Sequence, residues 1–273
     1  MYKLLILLIS LNLFAAQKTI YGTDSRVDYY QINSSEIEGL SGAVAAMIPK
    51  QSMIEKDHYS KFIAVNLGSA DYCEDTNFSD QTTIAQCTGF LISENTLLTT
   101  GNCIKRDSDC ENNKWVFNFK RNFKSHRVRT ADAEDIFSCK KIIKRVNNIG
   151  GLVSYTIIEL DRDTNKVAID LATVEKPKVN GSIIMLGHPH GLPLKYSSMA
   201  TSQYVYQTFF KADLDSETRS AGSPVFDKQT LKPIGMYLWG PNDYTTTRGC
   251  RTYVTRSNNS ALEYIMMLDQ VVL

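Results

Sequence analysis

The sequence predicts an all-β protein with one helix at its C-terminus. The chain has 273 residues, 43% of them hydrophobic, which is enough for one large domain or two lobes. Helical periodicity is scarce, whereas short apolar or alternating runs rich in Val, Ile, Thr, Phe and Tyr recur between turn residues. Many short strands of this kind indicate barrels or sandwiches. The runs cover residues 62–67, 87–92, 115–119, 154–160, 183–186, 207–214, 234–239 and 250–256.

The last segment has a different pattern and predicts a helix over about 258–270. Asn258 and Asn259 can cap its first turn. Leu262, Ile265 and Met266 then follow at helical spacing.

Charge and motif content exclude several classes of function. Lys plus Arg total 30 and Asp plus Glu 29, a net charge of +1, so we expect neither nucleic-acid binding nor attraction to anionic membranes. The pair His188 and His190 lacks a nearby third ligand, so it is a weak metal signal. Neither a Walker A loop nor an HExxH or Cys-x-x-Cys motif is present. We therefore expect no metal and no cofactor.

The N-terminus predicts secretion. Lys3 is followed by an apolar run over 4–14 and by the small residues Ala15 and Ala16, a pattern typical of a signal peptide covering 1–16. Eleven residues are too few to span a bilayer as a helix, so we expect a secreted protein, extracellular or periplasmic, with no membrane span. The six cysteines, an even number, suit structural disulfides in an oxidising compartment.

Five segments in order resemble the trypsin-like serine peptidases, specifically the glutamyl-endopeptidase-like (V8-like) branch. They cover 20–30, 87–103, 187–195, 212–226 and 235–250, and include Thr-Thr-Gly-Asn-Cys at 99–103, Gly-His-Pro-His-Gly-Leu-Pro at 187–193 and Ala-Gly-Ser-Pro at 221–224. The resemblance implies one peptidase domain over 17–273, made of two six-stranded antiparallel β-barrels with a site between them and a C-terminal α-helix. The N-terminal barrel would cover about 40–165 and the C-terminal barrel about 166–256.

The catalytic residues that the resemblance implies are missing. Such enzymes use a Ser nucleophile, a His base and an Asp that orients the His. The matching positions here are Ala221, Asn102 and Ser154. Ala has no nucleophile, Asn has no titrating nitrogen, and Ser154 cannot stabilise an imidazolium. The Gly that helps to form the oxyanion hole is Arg219, which would distort or fill that hole.

Two substrate-binding features are implied beside the lost triad. Asp215 lies six residues before Ala221, where the family places the base of its primary specificity pocket; the alternative is a turn-capping role. Leu238, Trp239 and Gly240 resemble the edge strand that pairs with an extended peptide; the alternative is an ordinary core-flanking strand.

The resemblance also implies a disulfide between Cys87 and Cys103. The other four cysteines allow three pairings, of which we select Cys110 with Cys139 and Cys73 with Cys250.

These observations predict a pseudoprotease, a secreted and monomeric serine peptidase homologue that binds a peptide or protein and is not an active enzyme. One alternative is an active endopeptidase with relocated catalytic groups. The other is a structural interaction module of a secreted assembly, which an aromatic, closed cleft would favour.

Overall fold

Short β-strands make up nearly all of the regular structure. The computed structural model describes residues 20–148, 150, 152–242, 244–257 and 261–273. The predicted signal peptide over 1–16, as well as Asn258 and Asn259, lie outside these residues. The strands of the first half are β1 (Ile20–Tyr21), β2 (Arg26–Asp28), β3 (Val44–Pro49), β4 (Met53–Glu55), β5 (Tyr59–Phe62), β6 (Val65–Asn66), β7 (Thr82–Thr83), β8 (Cys87–Leu91), β9 (Thr96–Thr99), β10 (Asn113–Phe117), β11 (Thr130–Asp132), β12 (Ile136–Asn147) and β13 (Ser154–Leu160).

The second half is built in the same way. Its strands are β14 (Ser182–Gly187), β15 (Lys195–Val205), β16 (Phe209–Ala212), β17 (Pro224–Asp227), β18 (Pro233–Trp239), β19 (Tyr244–Thr247), β20 (Cys250–Tyr253), β21 (Thr255–Arg256) and β22 (Glu263–Met267). The α-helices in the described residues are α1 (Ser35–Ser41) and α2 (Asp107–Glu111). Short 3-10 turns cover Tyr29–Gln31, Lys50–Ser52, Leu67–Ser69, Ala133–Asp135, Leu171–Thr173, Pro189–Gly191 and Leu268–Gln270.

Two closed antiparallel barrels of six strands each form the body of the protein, as the sequence predicts. The first has the strand order β3–β8–β9–β13–β12–β10 and closes back to β3. The second has the order β14–β17–β18–β22–β16–β15 and closes through the pairing of β15 with β14. β2 adds to β15 as an outer strand, with Asp28 opposite Lys195. The N-terminal segment (residues 20–28) is therefore attached to the second barrel outside its closed ring of six strands.

The predicted C-terminal helix is wrong for the described residues 263–270. Glu263–Met267 is a strand that pairs with β16 on one side and β18 on the other. Ile265 and Met267 pack in the core of the second barrel, whereas Met266 belongs to the cluster that reaches the first. Successive side chains therefore face opposite sides, as in a strand. The segment has so few apolar residues that their spacing in the sequence fits a helix as well as a strand. The second barrel thus extends past the predicted end at 256.

A shared core joins the two barrels. In the first barrel, a Cβ on Gly89 would overlap Leu97 and Trp115, so Gly allows the fully buried Trp115 to cross the interior. The same apolar cluster includes Leu186 and Phe226 of the second barrel. The barrels therefore bury surface against each other, which fixes the loops between them.

The chain has three disulfides, and they match the selected pairing. Cys87–Cys103 joins β8 to the turn after β9, and Cys110–Cys139 joins α2 to β12. Cys73–Cys250 links residues 177 positions apart and ties the β19–β20 hairpin to a loop of the first half.

A buried ionic cluster holds the N-terminal segment against both barrels. Lys195 Nζ lies 2.8 Å from Asp28 Oδ1, and Arg121 Nη1 lies 2.9 Å from Asp28 Oδ2. Gln81 donates to Asp28 and accepts from Lys195. Burial lowers the pKa of Lys195 to about 8, although the ion pair with Asp28 opposes this effect. The ammonium remains the main form at pH 7.

Replacing Lys195 with Met removes one positive charge from this cluster, so less positive charge balances the buried Asp28 carboxylate. We expect Lys195→Met to lower the free energy of unfolding at pH 7 by about 3 kcal/mol, measured by urea denaturation. The control is Lys56→Met at an exposed position, which should change the free energy by less than about 0.5 kcal/mol. Equal effects of the two substitutions would contradict a structural role for the cluster.

Candidate functional site at the junction of the barrels

The three positions that match the triad converge on the turn that follows β9. Asn102 lies in this turn and is exposed. Ser154 begins β13, and its Oγ lies 2.6 Å from the position that a Cβ on Gly101 would take. The carbonyl oxygen of Ala221 lies 3.5 Å from Cys103 Sγ and accepts a 2.9 Å hydrogen bond from the Thr88 amide. Residues of both barrels thus meet at one place.

The groups at this place cannot carry out triad chemistry. Ala221 offers no nucleophile, and Asn102 is no general base. Ser154 is 1% exposed, and its Oγ has no hydrogen-bond partner among the described residues. A buried neutral hydroxyl cannot replace the carboxylate that stabilises a charged imidazole.

The serines on either side of Ala221 turn their hydroxyls inward. Ser220 and Ser223 are both fully buried. Ser223 Oγ donates to the Ser220 carbonyl at 2.6 Å, and Ser220 Oγ accepts from the Glu217 amide at 3.4 Å. Neither hydroxyl is therefore exposed for attack on a substrate.

The two histidines are structural parts of this region. His188 Nδ1 donates to the Leu192 carbonyl at 3.0 Å, and its backbone amide donates to Thr88 Oγ1. His190 lies between Tyr72, whose hydroxyl is 3.0 Å from Nδ1, and Glu217, whose carboxylate is 3.2 Å from Nε2. In the described residues, no group of three or more His, Cys, Asp or Glu side chains is placed to hold a metal ion.

Arg219 keeps a backbone conformation that favours glycine. Its φ is 73°, in the left-handed region that side chains disfavour. The loop therefore has the conformation expected of the family's glycine but carries a long cationic side chain. Arg219 Nη1 lies 3.4 Å from Thr83 Oγ1 and 3.4 Å from the His190 carbonyl oxygen. Burial lowers the pKa of this guanidinium.

Asp215 binds the protein's own N-terminal segment. Its Oδ1 accepts from the Tyr21 amide at 2.8 Å, and its Oδ2 accepts from the Ser25 amide and hydroxyl at 2.7 and 2.5 Å. Asp215 is 2% exposed, and burial raises its pKa although these hydrogen bonds oppose the change. These contacts reach residues 190 and 194 positions earlier in the chain, so they are not the capping of a local turn that the sequence offered as the alternative.

Side chains of the protein also fill the space beside the edge strand. A Cβ on Gly240 would overlap the Glu263 carboxylate. Tyr237 donates its hydroxyl to Glu263 Oε2 at 2.9 Å, and Tyr21 donates to Oε1 at 3.4 Å. Leu238 is buried, while Trp239 remains 39% exposed. The space beside Gly240 is therefore occupied by Glu263 and two tyrosines.

The sequence analysis missed Glu263, Tyr21 and Ser25 at this location. Glu263 fell in the predicted helix, and the two others precede Asp215 by more than 180 residues. The ends of β18 and β22 bring the acidic residue to the edge strand, and no local sequence signal marks this contact.

Two closed antiparallel barrels with a site at their junction are the architecture of the trypsin-like peptidase fold. The family model described as "Trypsin-like peptidase domain" matches residues 87–236. This match covers more than half of the chain, so the chain belongs to the trypsin-like peptidase family.

Solved structures of peptidases share this fold. A Glu endopeptidase is 11% identical with a TM-score of 0.50, over 91% of this chain and 93% of that one. The VesB protease of Vibrio cholerae is 12% identical with a TM-score of 0.53, over 90% of this chain but only 64% of the other. The MamO protease domain of Magnetospirillum magneticum is 7% identical with a TM-score of 0.50, over 84% and 93%. No curated protein sequence gives a significant match.

The burial of His188 makes stability depend on pH. Burial lowers its pKa to about 3, below the value near 6.5 of an unfolded chain. The unfolded state therefore binds the proton first as the pH falls, and stability present above pH 6.5 is lost. Between pH 7 and pH 5 this group should remove about 2 kcal/mol of unfolding free energy.

The comparison that isolates this effect uses His188→Phe and the exposed control His58→Phe. In urea denaturation at both pH values, His188→Phe should lose about 2 kcal/mol less than the wild type over this range. His58→Phe should follow the wild type. An identical pH dependence in all three proteins would contradict the assignment.

Asp215→Asn should loosen the N-terminal segment. All three contacts of the carboxylate are with donors, and an amide presents only one acceptor atom. We expect a loss of about 2 kcal/mol in unfolding free energy and faster hydrogen exchange at the amides of Tyr21 and Ser25. The exposed control Asp57→Asn should change neither quantity. Unchanged exchange in Asp215→Asn would show that the carboxylate does not hold this segment.

Proposed function

We propose that this chain is a secreted trypsin-like peptidase homologue that is catalytically inactive and acts by binding a peptide or protein. The observation that carries the proposal is the set Asn102, Ser154 and Ala221 at one junction of the barrels. Ala221 and Asn102 offer neither a nucleophile nor a base at neutral pH. The Ser154 hydroxyl is buried and has no hydrogen-bond partner among the described residues to take its proton. The order along the chain of the five segments that resemble the glutamyl-endopeptidase-like branch supports a place in that branch.

The burial of Ser220 and Ser223 argues against relocated catalytic groups. Their hydroxyls point to backbone atoms of the same loop, and both nearby histidine rings have other partners. An active endopeptidase would need a nucleophile and a base within hydrogen-bond reach of one another.

The filled space beside Gly240 shapes the kind of binding that we propose. Because Glu263, Tyr237 and Tyr21 occupy this space, a ligand would bind across the surface of the cleft without inserting a side chain toward Asp215. The same closure supports the second candidate, a structural interaction module of a secreted assembly. Both candidates are non-catalytic.

Secretion is supported by the N-terminal sequence pattern and is compatible with three disulfides. Within the described residues, no helix has both the length and the apolar character needed to cross a bilayer.

Inactivity is tested with the purified, oxidised protein, labelled casein and a fluorophosphonate probe that reacts with activated serines. We expect no casein cleavage above the buffer rate and no covalent labelling, because position 221 carries no hydroxyl. The comparator combines Asn102→His, Ser154→Asp and Ala221→Ser with Arg219→Gly. We expect this variant to be labelled while casein cleavage stays weak, since Glu263 still fills the space beside Gly240.

Wild-type turnover or labelling would overturn the proposal. Labelling that disappears in Ser220→Ala or Ser223→Ala would identify a relocated nucleophile and establish the active alternative. The two substitutions remove buried hydroxyls, so thermal denaturation of each variant checks that it is folded.

A further inference from the structure

A small pocket lies beside Arg219, on the side where the loop meets the β19–β20 hairpin. It encloses about 250 Å³, and the side chains that matter for its chemistry are Arg219, Arg251, Tyr72, Tyr244 and Thr83. Arg219 precedes Ala221 by two residues, so this pocket adjoins the position where the family carries its nucleophile. Asp215 and Glu263 do not line it.

Among the described residues, the side chains that line this pocket carry positive charge and no negative charge. Two guanidinium groups line it, and no Asp or Glu does so among the described residues. Within that part of the chain, neither Arg219 nor Arg251 forms an ion pair. Arg219 makes two 3.4 Å contacts through one nitrogen, although a guanidinium has five N–H donors. Burial lowers the pKa of Arg219, as expected for a cation removed from water without a counter-charge.

The nearest buried acid belongs to a different ionic cluster. Glu217 Oε1 lies 3.3 Å from Arg26 Nη1, and Glu217 Oε2 lies 3.2 Å from His190 Nε2. Arg26 also pairs with Asp24 at 2.8 Å. His190 itself lines the pocket, whereas Glu217, Arg26 and Asp24 do not. Among the described residues, these acids form ion pairs with Arg26 and His190 and with neither Arg219 nor Arg251.

The pocket is held in shape before any ligand binds. The Arg251 amide donates to the Asp71 carbonyl at 2.7 Å, and the Arg251 carbonyl accepts from the Cys73 amide at 2.8 Å. The Cys73–Cys250 disulfide locks the same two segments together. The Arg251 guanidinium lies over the Tyr244 ring, 4.4 Å from its centroid, which restricts its orientation. Preorganised donors of this kind lose little entropy on binding.

We propose that this pocket binds a carboxylate group of a peptide ligand, with Arg219 as the main contact and Arg251 as the second cation. A guanidinium matches a carboxylate through paired N–H donors, and the pocket volume suits one such group with its neighbouring carbons. This proposal rests on the proposed binding function and gives it a recognition site apart from the space that Glu263 fills beside Gly240. The carboxylate comes from an acidic side chain or from a peptide C-terminus.

The test is calorimetric titration of the full oxidised protein with short peptides at fixed ionic strength. Acetyl-Ala-Glu-Ala-amide presents a side-chain carboxylate, acetyl-Ala-Ala-Ala with a free C-terminus presents a terminal one, and acetyl-Ala-Gln-Ala-amide presents neither. We expect one of the first two peptides to bind at least about 10-fold more tightly than the third, a difference of about 1.4 kcal/mol. The tighter of the two identifies the source of the carboxylate.

Arg219→Gln and Arg251→Gln should each remove most of that preference. Gln at position 219 has a side chain without charge at the same strained φ, so thermal denaturation should match the wild type closely. The matched control is Arg248→Gln, an exposed arginine of the same hairpin, which should leave binding unchanged. Equal affinity for all three peptides, or equal loss in the Arg248→Gln control, would overturn the proposal.

Asp243 precedes Tyr244 in the sequence and lies outside the described residues, so Asp243→Asn is titrated as well. Binding of a carboxylate peptide that appears only in Asp243→Asn would show that the pocket serves the chain's own acid, and would also overturn the proposal. Failure of any of these arms leaves the proteolysis and labelling tests unaffected, so the two proposals can fail separately.

Discussion

Closure of the second barrel is the constraint on which the site depends. β22 must pair with β16 and β18 at once to complete the sixth strand, and this requirement sets the register of Glu263–Met267. In that register Ile265 enters the barrel core and the Glu263 carboxylate lies beside Gly240. The strand pairing that closes the barrel therefore also places the Glu263 side chain in the space beside Gly240.

The buried charges explain how the N-terminal segment becomes part of this arrangement. Burying an ion is costly unless it is paired and hydrogen-bonded, and the segment brings Arg26 and Asp28 into the interior. Asp28 meets Lys195 and Arg121, while Arg26 meets Glu217 of the loop before Ala221. Uncharged N–H donors from Tyr21 and Ser25 compensate Asp215. The loop before Ala221 is thus held by structural contacts.

The residues that the sequence matches to the peptidase site make structural contacts of their own. At position 219 the backbone has a left-handed conformation, which glycine adopts most easily, and it carries the long cationic side chain of arginine. The inward hydroxyls of Ser220 and Ser223 satisfy backbone groups of that loop. The loop thus carries a partly buried cation, next to a hairpin fastened by a disulfide.

Much of the fold and part of the site follow from the sequence alone. Alternating β-branched and aromatic residues predicted the strands, because alternation is a local property of a half-buried strand. The motifs around Asn102, Ser154 and Ala221 located the junction, since each motif is contiguous. Period alone did not distinguish strand from helix over 262–267, because a short apolar segment fits both, and only its two neighbouring strands decided the outcome. Likewise, the contact of Asp215 with Tyr21 and Ser25, and that of Glu263 with Tyr237, depend on pairings between distant strands, which only the tertiary structure decides.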